Sequence, residues 1–441
     1  MGETATNAKG RKRGHLLMLS YFFPPLGAGG VQRSLKLAKY LPDCNVDVTV
    51  LTPKPVAYLA YDQTLLEEIP PAVKVVRTPS ADPARLAWLL KRLLGRGEDR
   101  QDEDEISSGK GIRGAWFLQK LKWWVTIPDA EVFWLPYAIP AAGRVIQTAH
   151  HTVIYSTSPP NSTHLLGFLL KKRWRLPWIA DFRDLWADHY DFINRPYPLR
   201  LLIESMERVV FNNADRVICN TPGMLEFYAG KYPTSHSRLR LIPNGYDEED
   251  FRDLSPQSSD GDYLRLVHMG ALRGDRSLTT VIKAMVEVER DSSVLRKWIL
   301  EQAGVFHAHL IKGLDQSDLS DRVRLLGNLS HRQALARAAA AEALLLLISP
   351  NEGDKLVPAK LYEYLRLGRP IIIMAPEGDA VRLARDLAQA VVFAPDDFRG
   401  LAEYLARGKP PIPTISRTKL MCFERRRLAA KLADLVAEVL I

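Results

Sequence analysis

The sequence predicts an α/β protein built from two doubly wound parallel sheets, and three observations carry that prediction. At 441 residues the chain exceeds one ordinary domain and suits two of about 200. Short apolar runs alternate with helix-period segments along most of its length, the pattern of repeated βαβ units. The alternation breaks between Tyr246 and Asp262, where Asp, Glu, Ser and Pro accumulate as in a linker, and then restarts. The expected division is residues 1–250, 251–411, and a terminal helical piece, 412–441.

Composition narrows the class. A hydrophobic content of 46% with 25% charged residues is that of an ordinary water-soluble globular chain. Cys44, Cys219 and Cys422 lie far apart without metal-ligand spacing, which fits a reducing compartment and no disulfide framework. The N-terminus carries a basic cluster but no apolar core ahead of a cleavage site, so a secretory signal is not expected. No window reaches the ~20 apolar residues of a membrane span. The net charge of +9 favours anionic partners. No zinc-finger or RNA-binding signature accompanies it, so nucleic acid is not expected.

Taken in order, HLLMLS (15–20) is the first strand and YFFPPLGAGGVQRS follows it into a helix ending at Leu41. Gly27, Gly29 and Gly30 allow backbone to approach a ligand at a helix N-terminus, although a plain strand–helix loop explains them as well. VDVTVL (46–51) and VKVVRT (73–78) are further strands, 84–95 a basic helix, and 96–112 a charged Gly/Ser-rich loop. Its DED triplet, like DGD at 260–262, reads as solvated charge, so no metal is expected. In 113–139, Trp116, Phe117, Trp123, Trp124, Phe133 and Trp134 are interleaved with Lys120 and Lys122. Such a helix either lies on a lipid surface, here through 113–127, or packs its aromatics inward and snorkels its lysines. TVIYST (152–157), PWIA (177–180), ADRVICNT (214–221) and LRLIPNG (239–245) supply the remaining strands of the first sheet. Asp181, Arg183 and Asp184 would crown the carboxyl end of one, where α/β sites lie, or form a capping pair.

The second sheet begins with LRLVHMG (264–270) and continues through a strand near 294–300, VRLLG (323–327) and ALLLLIS (343–349). Ser330 and Gln333 make a capping box for a helix over 331–341. Residues 357–374, VPAKLYEYLRLGRPIIIM, read as loop, short helix, tight turn and inner strand, with Pro358 starting the helix and Gly368 closing it. Free N–H groups at 358–360, the positive end of the helix dipole and Lys360 together form an anion site. Glu363 lies one turn deeper on the same side and cannot serve that anion. It either accepts from vicinal hydroxyls or forms an i,i+3 salt bridge with Lys360.

P-x-K-x-x-E-Y-L-x-x-G-x-P with an apolar strand behind it resembles the nucleotide-sugar site of retaining GT-B glycosyltransferases of family four, especially bacterial polysaccharide enzymes. YFFPP-x-G-x-GG-x-x-R with Arg33, DFRD-x-W and Asn244-Gly245 strengthen the resemblance. It implies GT-B architecture: two Rossmann-like domains facing a cleft, the first on the acceptor side, the second holding the donor, and the terminal helix returning to the first. Glu363 then binds ribose, and Val357, Pro358, Gly29, Gly30 and Arg273 line the donor site. Lys360 and Arg276 neutralise the diphosphate, while Asp184 and Asp181 position the acceptor hydroxyl. At the position eight residues before Glu363, where the family often has a second Glu, this chain has Lys355, and Glu352 is out of register.

The implied activity is a retaining, hexosyltransferase-like transfer from a nucleotide diphosphate sugar, with no cofactor or required metal. The acceptor would be a carbohydrate or lipid-linked hydroxyl, in polysaccharide or glycolipid synthesis in the cytoplasm or at the inner face of its membrane. An epimerase on the same architecture and a non-catalytic nucleotide-binding protein are the alternatives.

Overall fold

A computed structural model describes residues 14–27, 29–55, 61–83, 123–252, 254, 263–272, 276–290, 297–306, 320–388 and 390–441. Arg273, most of the 113–127 segment and the helix expected over 84–95 lie outside the described residues.

The first sheet has seven parallel strands in the order β3-β2-β1-β4-β5-β6-β7. They are β1 (Gly14–Leu19), β2 (Val46–Pro53), β3 (Lys74–Thr78), β4 (Thr152–Ser158), β5 (Trp178–Phe182), β6 (Arg216–Cys219) and β7 (Leu239–Leu241). The longer helices around it are α1 (Gly29–Tyr40), α2 (Leu135–Thr148), α3 (Ser162–Trp174), α4 (Tyr197–Asn213) and α5 (Pro222–Lys231). Inner strands buried on both faces need apolar side chains at every position. In β1, Leu17 and Leu19 enter one core while Leu16 and Met18 enter the other.

The second sheet has six parallel strands in the order β10-β9-β8-β11-β12-β13. These are β8 (Tyr263–Met269), β9 (Lys297–Ala303), β10 (Val323–Gly327), β11 (Ala343–Leu347), β12 (Ile371–Met374) and β13 (Val391–Phe393). Its helices are α6 (Thr279–Arg290), α7 (His331–Ala339), α8 (Ala359–Leu367), α9 (Asp379–Ala388) and α10 (Phe398–Ala406). Ile371 and Ile373 of β12 face one core and Ile372 and Met374 the other, which explains the unbroken apolar run. The last helix, α11 (Arg425–Val439), leaves this unit. Its Leu428, Leu432, Leu435 and Val436 pack in the core that lies against α1 and β1.

In both sheets the order reverses beside the first strand, between β1 and β4 and between β8 and β11, so each has a switch point at its carboxyl edge. Those edges face each other. Thr221, after β6, donates to the Lys355 carbonyl, after β11, at 2.7 Å. The Gly223 N–H donates to Asp379 Oδ2, after β12, at 2.7 Å.

Candidate functional site

The best-defined cationic group in the cleft is built at the start of α8. Pro358 is the N-cap rather than the first helical residue and has no N–H to offer. The Leu361 N–H is taken by the Pro358 carbonyl. The donors of the first turn are therefore those of Ala359 and Lys360, fewer than the 358–360 range implied. Val357 is buried, so only its backbone can meet a ligand. At the far end Gly368 takes the left-handed conformation (φ 69°) that closes the helix before Pro370.

Lys360 Nζ reaches the end of β8, donating to the Met269 carbonyl at 2.7 Å and to His268 Nε2 at 2.9 Å. His268 Nδ1 lies 2.5 Å from Gln302 Oε1, and Gln302 Nε2 donates to the Gly270 carbonyl at 2.8 Å. Because Gln302 Oε1 can only accept, the network places the imidazole proton on Nδ1 and leaves Nε2 to accept from Lys360. Burial, reinforced by the neighbouring Arg276, pushes the Lys360 pKa well below its ordinary value. Burial and Lys360 do the same to His268. With two neutral acceptors and a guanidinium nearby, the charged form of Lys360 is disfavoured, and an arriving anion would favour it.

Arg276 faces the same space but is occupied. Its Nε donates to Glu352 Oε2 at 2.9 Å and its Nη2 lies 2.5 Å from Oε1. Glu352 also accepts from the Ser349 N–H, closing a capping box. The acid that is out of register in the sequence is thus the partner of the predicted diphosphate-binding arginine.

Glu363 forms no ion pair with Lys360 among the described residues, and the i,i+3 salt-bridge alternative falls. Its Oε1 instead lies 2.8 Å from His331 Nε2. Burial would raise its pKa, but His331 and Arg425 hold it below the usual carboxylate value.

On the opposite wall two expectations need correction. Asp181 is fully buried, and both its oxygens are used. They accept from Arg33 Nε (2.9 Å) and Nη2 (2.7 Å), Tyr155 Oη (2.7 Å) and Thr157 Oγ1 (2.8 Å). Arg33 also donates to the carbonyls of Ile242 and Pro243. The pair fastens α1 to β5 and to the exit of β7, and leaves Asp181 no oxygen for an acceptor. Gly30 is likewise not open to a donor: a Cβ there would lie 3.2 Å from Arg183 Nη1, and Arg183 donates to the Gly30 carbonyl. Gly29 is the first residue of α1.

Asp184 differs from Asp181. It is half-buried, has no hydrogen-bond partner among the described residues, and faces Arg183, His189, Glu352 and Arg276. Burial raises its pKa, the arginines and His189 partly opposing. Asp184 of the first unit is therefore within electrostatic reach of Arg276 of the second.

A grouping of carboxylates close enough for a metal, Glu68, Asp247 and Asp250, already holds an ammonium. Lys36 Nζ lies 2.6, 2.9 and 2.5 Å from them.

His268, Gln302 and His331 escaped sequence reasoning, and Glu352 was noticed without its partner. His268 had a signal: it is a polar residue inside an apolar inner strand, one position before a Met-Gly turn. Gln302 occupies the matching register on β9.

Residues 28–245 match the model of the glycosyl transferase 4-like domain. The matched stretch begins after β1, takes in α1 and strands β2 to β7 with Arg33, Asp181 and Asp184, and stops before β8. No curated protein matches the sequence. Among solved structures, HepE from Anabaena, in complex with UDP and glucose, is 15% identical, with 97% of each chain covered and a TM-score of 0.54. The N-terminal domain of Candida albicans trehalose-6-phosphate phosphatase is 12% identical over the whole of both chains, with a TM-score of 0.63. WaaG, a glycosyltransferase involved in lipopolysaccharide biosynthesis, is 15% identical over 96% of this chain and 95% of its own, at 0.53. At such identities the likeness is one of fold. Two parallel α/β units facing across a cleft make this the GT-B fold.

Proposed function

We propose that the protein is a glycosyltransferase that moves a sugar from a nucleotide diphosphate sugar to an acceptor hydroxyl. The observation that carries this reading is the layout along α8. Lys360, whose amine bonds no carboxylate among the described residues, and the free N–H groups of the first turn sit at one level, and a carboxylate, Glu363, sits one turn deeper. That spacing suits a diphosphate followed by a ribose. The glycosyl transferase 4-like match and the UDP-bound state of HepE support the same reading.

Catalysis would rest on charge. As the sugar–phosphate bond breaks, negative charge builds on the departing diphosphate. Lys360 and the helix dipole are placed for that charge and need little reorganisation, and Arg276 would join them once released from Glu352. Asp184, unbonded and opposite Arg276, is the acidic group we assign to the acceptor side. Retention of anomeric configuration and transfer without a metal belong to this proposal, as do a polysaccharide or glycolipid product and a cytoplasmic site.

Peripheral membrane contact is part of the same reading. Trp124 and Val125 are about half exposed, while Trp134 is buried, so the aromatic segment is divided between surface and core. Among the described residues no helix is long and apolar enough to cross a membrane.

The test is a thermal-shift screen of nucleotide sugars followed by a transfer or hydrolysis assay, since a ligand that binds only the folded state raises the melting point by mass action. Stabilisation by one nucleotide sugar, with release of its nucleoside diphosphate, is the expected result. Absence of stabilisation by any of them would refute the reading, and sugar interconversion without transfer would favour an epimerase.

A further inference from the structure

His331 is the first residue of α7, held there by the Ser330–Gln333 capping box. Its ring and its backbone serve different domains. The ring Nε2 lies 2.8 Å from Glu363 Oε1, and Nδ1 lies 3.8 Å from Asp250 Oδ2. Its backbone N–H donates to Asp62 Oδ2 at 3.1 Å. Asp62 belongs to the first domain, where its Oδ1 caps the turn Gln63–Leu66 and its N–H donates to the Pro25 carbonyl. Tyr61 forms a bridge with Leu26. One residue thus joins the Gly-rich turn after β1 to the acid assigned to ribose.

Three charged side chains face the imidazole: Glu363 from α8, Asp250 from the Glu248–Phe251 turn, and Lys36 from α1. Burial opposes the charged form, but the two carboxylates outweigh both burial and Lys36, raising the pKa to about 9. At neutral pH the ring is therefore a cation with two N–H donors. One is spent on Glu363. Among the described residues only Oε1 of Glu363 is engaged.

We propose that His331 is a positioning residue of the nucleotide site, fixing Oε1 of Glu363 so that Oε2 is presented to a ribose hydroxyl. The inference rests on the glycosyltransferase reading and adds a residue from a third element, tied to the opposite domain. A carboxylate on a short helix can rotate about its own side-chain torsions. A charge-assisted hydrogen bond to one oxygen removes that freedom before ligand arrives, so less ordering is left to offset binding.

The experiment is calorimetric titration of the full chain with UDP and GDP and with their 2′,3′-dideoxy counterparts, between pH 7.5 and 10. Wild type, His331→Ala and His331→Gln are compared. The readout is the ratio of ribo to dideoxy affinity, which cancels effects that act on the phosphates alone. In wild type the ratio should fall several-fold as pH rises through about 9, where the imidazolium loses its proton. His331→Ala should lower the ratio about tenfold at pH 7.5 and leave it flat with pH. His331→Gln, which can still donate to Oε1, should recover part of the ratio without the pH dependence. A wild type that binds ribonucleotides while His331→Ala leaves the ratio unchanged would overturn the positioning role and leave the proposed function standing. A wild type that binds neither UDP nor GDP, and that no nucleotide sugar in the thermal-shift screen stabilises, would overturn both.

Discussion

Asp181→Asn separates a scaffold from an active-site acid. The native carboxylate accepts four hydrogen bonds, two of them from the guanidinium of Arg33, and neither partner is exposed beyond 2%. An amide keeps one acceptor oxygen and turns an N–H group toward donors. It also leaves Arg33 charged and buried with only the Ile242, Pro243 and Asn244 oxygens for company. Breaking a buried pair from one side costs about 3–5 kcal/mol. At about 2–4 °C per kcal/mol for a domain of this size, the melting point should fall by roughly 6–20 °C. Calorimetry and denaturant titration followed by circular dichroism measure it. The acid limb gives a second signature. Burial would raise the Asp181 pKa, but Arg33, Tyr155 and Thr157 more than offset that and hold it below its ordinary value. A depressed folded pKa means that the stabilisation is present above the unfolded value near 3.8 and is lost as pH falls through the folded one. The variant should lack that loss. A variant that melts within about 1 °C of wild type yet transfers no sugar would refute the scaffold argument and return Asp181 to the acceptor.

Arg276→Ala should weaken a nucleoside diphosphate by about 1.5–3 kcal/mol and the bare nucleoside hardly at all; equal losses by calorimetry would place Arg276 elsewhere and promote Arg273. Glu352→Gln should tighten the diphosphate several-fold, because the ligand no longer competes for Arg276, and weaker binding would show Glu352 to be part of the site. Gly270→Ala places a Cβ 3.3 Å from Lys360 Nζ at a φ of +105°. It should cost about 1–3 kcal/mol of stability and reduce diphosphate affinity, and an unchanged melting point would contradict it. Trp123→Ser/Trp124→Ser should reduce co-sedimentation with anionic vesicles at low salt, and equal sedimentation of variant and wild type would dismiss the membrane surface.

What could be read from the sequence follows from how local each signal is. The strands of both sheets are legible because a strand buried on two faces must be continuously apolar, as at Ile371–Met374. The ends of α8 are legible because Pro358 and Gly368 act within one turn of their own backbone. The site is harder. Lys360 and Glu363 share a helix and could be placed together by spacing, but spacing could not say whether they pair. The answer lay in Met269, His268 and His331, on elements far away in the chain. Asp181 misled because an acid at the carboxyl end of a strand looks the same whether it faces solvent or Arg33. The contact between Glu352 and Arg276 was hidden for the same reason: 76 residues separate them, and no local pattern records it.

The placement of α11 makes the first domain discontinuous. Leu428, Leu432, Leu435 and Val436 complete a core whose other wall, Leu16, Val31 and Leu35, is synthesised at the start of the chain. As the ribosome delivers residues 14–241, the first sheet can form but the apolar groove between α1 and β1 stays open. It closes only after the whole second domain has been made. Until then the groove is a surface for chaperones or for a neighbouring nascent chain. Burying four such side chains contributes roughly 6–12 kcal/mol, so a nonsense codon just before residue 425 would do more than trim an end. It would leave the first domain with an unfilled core.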